Sequence, residues 1–140
     1  MWIFFAILTI FSYALMDFFI KKSAGKVDDA FGAFLINIFS TLPPLIWFIS
    51  TKLSGKEILT SREGFIFPAI AGISIGFGSI FFIKMFSLGT NLSIGVPFVR
   101  IGIVLLAVVL GIFVLKETLS LKQLFGFIIS IVGLYLLIAK

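Results

Sequence analysis

Apolar residues fill this chain in long unbroken runs rather than in alternating or one-faced patterns. The first run covers residues 2–20 and is interrupted only by Asp17; runs at 30–50, 64–83, 92–115 and 123–139 follow. Each approximates the ~20 residues that carry a helix across ~30 Å of hydrocarbon. The pattern therefore predicts five transmembrane helices with these bounds. A transmembrane barrel would instead alternate apolar and polar residues over ~10-residue segments. The links at 51–63, 84–91 and 116–122 are too short for a folded extramembrane part, so consecutive helices are expected to be antiparallel neighbours within one all-α membrane domain, 1–140. The first run lacks the charged start of a secretory leader and exceeds the usual leader length, so it reads as a retained span.

Composition agrees. The chain is 61% hydrophobic and 12% charged, with nineteen Phe spread throughout, and its mean hydropathy is +1.28. Such a balance lies far outside that of water-soluble domains. A net charge of +5 would suggest nucleic acid in a soluble protein, but these cations sit mostly at the ends of apolar runs. They read as interfacial anchors facing the lipid bilayer. With no Cys and no His, disulfides, thiol nucleophiles, Cys/His metal sites and imidazole relays are excluded. No phosphate-cradling loop, nucleophile with a base, or pair of deep carboxylates is present, so neither catalysis, a cofactor nor a metal is expected.

The distribution of charge between the two faces is informative. Five spans place Lys52, Lys56, Arg62, Lys116 and Lys122 on the face that holds the N-terminus, and Lys21, Lys22, Lys26, Lys84 and Lys140 on the other. Orientation normally follows an excess of Lys and Arg on the cytoplasmic side. Here there is none. The expectation is insertion both ways round or orientation by a partner, against a single topology set by the first helix.

Ionisable groups at membrane depth are costly and mark functional positions by default. Arg100 lies eight residues inside its run, ~12 Å deep, and is the leading candidate for a cavity-facing solute contact. A structural ion pair, or a span that begins later, would also account for it. Asp17 would pair locally with Lys21 or serve as counter-ion to Arg100. Lys84, at the end of the third run, is expected to snorkel. Tyr13 and Asn37 add neutral hydrogen-bonding groups to this candidate substrate set, and Ser74 and Ser79 are of the same kind. Trp2 and Trp47 read as interfacial belt residues. Small residues allow close helix approach in lipid, which makes Gly72, Gly76, Ala107, Gly111, Gly126 and Gly133 candidate packing or dimer positions. Pro43, Pro44, Pro68 and Pro97 are candidate kinks or hinges.

The last two runs carry a recognisable pattern: Pro97, the run closing at Gly111, then Leu115-Lys116-Glu117-Thr118-Leu119-Ser120, then Gln123, Gly126 and Gly133. It resembles the EamA repeat of the drug/metabolite transporter superfamily. The similarity extends over the whole chain, most specifically at the link around Glu117, which reads as structural. Larger members of that superfamily carry two such five-helix repeats, the second inverted, whereas this chain has one. The resemblance implies an antiparallel homodimer in a cell membrane that moves small metabolites or amphipathic solutes by alternating access, with the site at the midplane. The deep Glu in the first helix of the related small multidrug resistance proteins is missing here. A non-transporting subunit that requires a different chain is the alternative.

Overall fold

The computed structural model describes residues 2–138. Ala139, the expected end of the fifth span, and Lys140, one of the balanced cations, lie outside them. The described residues form an all-helical chain: α1 (Trp2–Ser23), α2 (Asp29–Ser40), α3 (Leu42–Leu53), α4 (Arg62–Ser87), α5 (Leu92–Phe113) and α6 (Leu121–Ile138). Among the described residues four segments are long and apolar enough to cross a membrane: Trp2–Ser23, Asp29–Leu53, Arg62–Ser87 and Leu92–Phe113. α6 is a further apolar helix.

The helix ends differ from the ends of the apolar runs. α1 continues past residue 20 to Ser23, and α4 begins at Arg62 and continues past residue 83 to Ser87. Lys and Ser carry no steric penalty in a helix, and cations in the last turn face the negative end of the dipole. Lys21, Lys22 and Lys84 are therefore last-turn residues rather than loop residues. α5 stops at Phe113 rather than 115, and Lys116 takes a left-handed φ of 56°. α6 starts at Leu121 rather than 123 because Ser120 and Gln123 form a capping box: Gln123 Oε1 accepts from the Ser120 amide at 2.7 Å, and Ser120 Oγ accepts from the Gln123 amide at 3.3 Å.

The second span is two helices, broken at Thr41. Pro43 and Pro44 have no amide hydrogen, so two rungs of the ladder are missing. Just before the gap, polar side chains bond back along α2. The Asn37 amide donates to the Ala33 carbonyl at 2.7 Å, and Ser40 and Thr41 hydroxyls both donate to the Asn37 carbonyl at 2.9 Å. Pro68 and Pro97, by contrast, lie inside helices that continue through them.

Contacts divide the chain into two units, residues 1–89 and 90–140. In the first, α4 packs against both α2 and α1. Its buried residues are Asp17 and Ile20 in α1, Gly32 and Ala33 in α2, and Ile83 and Phe86 in α4; α3 has none. In the second, α5 packs against α6.

Candidate functional site

The turn between α1 and α2 delivers the polar groups of the first unit to one end. The Lys26 amide donates to the Ser23 carbonyl at 3.0 Å, and Gly25, at φ 74°, supplies the left-handed residue the turn needs. Asp28 then caps α2, its Oδ1 accepting from the Ala30 and Phe31 amides, both at 3.0 Å. That leaves its neighbour Asp29, the first residue of α2, directed across to α4.

There Asp29 meets two α4 side chains one turn apart. Lys84 Nζ lies 3.2 Å from Asp29 Oδ2, and Ser87 Oγ donates to Asp29 Oδ1 at 2.6 Å. Lys84 remains 60% exposed and Asp29 20%, so the pair is within reach of water and polar headgroups. On the α1 side, Lys21 Nζ stands 5.3 Å from the centre of the Phe86 ring, whose edge meets Phe82. Beneath these groups Phe86, Ile83, Ile20 and Ala33 are almost fully buried. The helices approach closely at Gly32, where a Cβ would stand 3.1 Å from Val27 Cγ1 and 3.4 Å from Ile83 Cδ1.

The expected solute residues are not all gathered here. Asp17 is buried at 3% exposure beneath this end, and Lys84 belongs to it through Asp29. Tyr13, one turn before Asp17, is half exposed. Asn37 is half-buried and bonds back within its own helix. Arg100 is half-buried in α5, in the second unit. Asp29 and Ser87 went unnoticed in the sequence. Asp28-Asp29 after a basic turn reads as ordinary loop, and only the helical register tells the capping carboxylate from the bridging one.

Among the expected packing residues, Gly111 is buried beneath the Glu117 side chain: a Cβ there would lie 2.6 Å from Glu117 Oε2. The Glu117 amide donates back to the Gly111 carbonyl at 2.9 Å, so this link folds onto the end of α5. At Gly72, Gly76, Gly126 and Gly133 no described atom lies within 4 Å of an added Cβ. Ala107 is exposed. A groove of about 330 Å³ runs along α3 between Pro43 and Lys56. It contains none of the expected solute residues, and its Thr51 and Ser54 hydroxyls donate to their own helix's carbonyls. It therefore presents mainly an apolar face.

Among the described residues no three His, Cys, Asp or Glu converge on a possible metal position. A cation, a carboxylate and a hydroxyl at a helix junction can bind polar groups or hold helices together.

Long apolar helices, hydroxyls bonded inward and a polar junction at one end define a multi-pass helical membrane protein. The chain belongs to the EamA-like transporter family, which it matches over residues 1–139. That family is part of the drug/metabolite transporter superfamily. Comparison with curated proteins and with solved structures returns no match.

Proposed function

We propose that the protein is a secondary transporter of small metabolites or amphipathic solutes, working by alternating access as an antiparallel homodimer in the cell membrane. α6 is its fifth span, and the solute site lies at the midplane between two opposed copies. Arg100, at membrane depth in α5, is the anchor for an anionic or zwitterionic group, with Tyr13 and Asn37 as further contacts and Asp17 and Lys84 nearer the mouth of the path. Gly72, Gly76, Ala107, Gly126 and Gly133 offer short side chains for close approach of the second copy.

The observation that carries this reading is the even division of Lys and Arg between the two faces. A chain with an odd number of spans and no charge bias has no electrostatic preference for either orientation, and an opposed pair completes an inverted repeat.

Because the chain has no native Cys, single cysteines placed near Gly25 and near Gly55 report topology directly. A membrane-impermeant reagent applied to intact cells is expected to label both. Labelling at only one site overturns the opposed dimer. In liposomes the protein alone is expected to exchange members of a panel of labelled metabolites. A protein that exchanges none and remains monomeric overturns the transporter assignment.

A further inference from the structure

The tight packing of the first unit lies entirely at one end. Every buried residue in it comes from the last two turns of α1, the first turn or so of α2, or the last turns of α4. Above this plug lies the Asp29–Lys84–Ser87 clasp, in which both oxygens of one carboxylate are engaged by α4. The clasp and the plug join the same helices: α2 meets α4 through Asp29 and through Gly32 against Ile83, and α1 meets α4 through Lys21 and Phe86.

α2 is built as a lever. It is a rigid segment of 12 residues, entered through the turn at Gly25 and left through the break at Thr41, where the following prolines remove the bonds that would stiffen it against α3. A permanent tie between helices would be sequestered. This one is open to water at Lys84, so its partners can exchange each other for hydration at little cost. Beneath it lie Ile20, Ala33, Ile83 and Phe86, with the buried carboxylate of Asp17 beside them on α1.

We propose that the Asp29–Lys84–Ser87 clasp is a gate latch. It holds one mouth of the transport path closed over Ile20, Ala33, Ile83 and Phe86, and it releases as α2 swings about Thr41. This rests on the transporter assignment and deepens it: in an opposed pair the same latch recurs at the other mouth. The two gates are then chemically identical, and only the conformation of each copy decides which one is shut.

Ala33→Cys places the only thiol beneath the latch, where Ala33 is 2% exposed. In liposomes, without solute, a membrane-impermeant maleimide should label it slowly. Adding Asp29→Asn should accelerate labelling about tenfold, the change in open population expected when the exposed ion pair is lost and the Ser87 bond loses its charged acceptor together. Ser87→Ala, which keeps the ion pair, should give about threefold by the same reasoning. Exchanging the charges with Asp29→Lys and Lys84→Asp restores the ion pair but not the Ser87 bond, so it should bring the rate back to about that of Ser87→Ala, and Lys22→Gln, outside the clasp, should leave it unchanged. Rates for Asp29→Asn and Ser87→Ala within twofold of the parent overturn the latch, as does an exchange variant as fast as Asp29→Asn. Since labelling is read without solute, its failure leaves the transporter assignment standing. A failure of solute exchange with labelling as expected removes that assignment alone.

Discussion

The two ends of the first helical unit contrast sharply. At one end α1, α2 and α4 converge on a small buried cluster beneath a polar clasp. Toward the other, α1 from Trp2 to Leu15, all of α3 and α4 as far as Phe82 bury nothing, although they are at least as apolar. In water such surfaces would be driven together. Lipid tails solvate Leu, Ile and Phe as well as a neighbouring helix does, so apolar character alone gives no closing force. Helices in lipid pack where short residues let them approach and where polar groups join across the gap. The packed end has both, in Gly32 and Ala33 and in Asp29 with Lys84 and Ser87. The opposite end has short residues at Gly72 and Gly76, but the nearby Ser74 and Ser79 hydroxyls donate within their own helix rather than across to another.

The largest test of this contrast is truncation of equivalent aromatic residues at the two ends. Phe86→Ala removes a ring that is 2% exposed, packed on Phe82 and beneath Lys21. It should cost about 2–4 kcal/mol, at or below the range for large-to-small changes in soluble cores because lipid weakens the transfer part. Phe65→Ala, at a side chain 76% exposed, should cost under about 0.5 kcal/mol. Thermal midpoints in nanodiscs give the comparison. Equal losses at the two positions would mean that Phe65 is covered in the assembled protein.

That division was only partly legible in the sequence. Runs of about 20 apolar residues announce themselves, because hydrocarbon thickness sets their length. Helix ends do not, because Lys21, Lys22 and Lys84 are as compatible with a last turn as with a loop. The Pro43-Pro44 pair marked the interruption in the second span, yet Thr41 as the break emerges only from hydrogen bonding around Asn37. Ser120-Leu121-Lys122-Gln123 carries a capping-box pattern in plain view, whereas the bridge from Asp29 to Ser87 spans 58 positions and has no local signature. Residues that act through the tertiary fold are the ones depth arguments cannot pair: Lys84 is placed only by its distance from the span end, and its carboxylate partner Asp29 lies outside the apolar runs.

A second, smaller test uses glycine. Gly32→Val adds atoms where Val27 and Ile83 already stand within 3.1 and 3.4 Å of a Cβ. Overpacking of this kind should cost about 1–3 kcal/mol. Gly72→Ala meets no described atom within 4 Å, and an alanine in a helix interior should gain up to about 1 kcal/mol over glycine. Measured at high dilution and at high protein density, the Gly72 variant separates two situations. A gain that persists at both places Gly72 toward lipid, whereas a gain that turns into a loss at high density places it against a second copy.

The smallest expected effect is the most discriminating about the loosely packed end. Ser74 and Ser79 donate to the Ile70 and Ile75 carbonyls of their own helix, at 2.9 and 2.8 Å. Each hydroxyl proton is thus satisfied without any neighbouring element, as apolar surroundings require. Removing the hydroxyl leaves each carbonyl available to its backbone partner and substitutes a better helix former. Ser74→Ala and Ser79→Ala should therefore change stability by no more than about 0.5 kcal/mol in either direction, and should leave the labelling rate at Ala33→Cys untouched. A loss of about 1.5 kcal/mol or more at either position would require the lone pairs of that hydroxyl to accept a bond from another element. The contrast between the two ends would then belong to the isolated chain, and Ser74 or Ser79 would supply, in the assembled protein, the polar link that Asp29 supplies at the closed end.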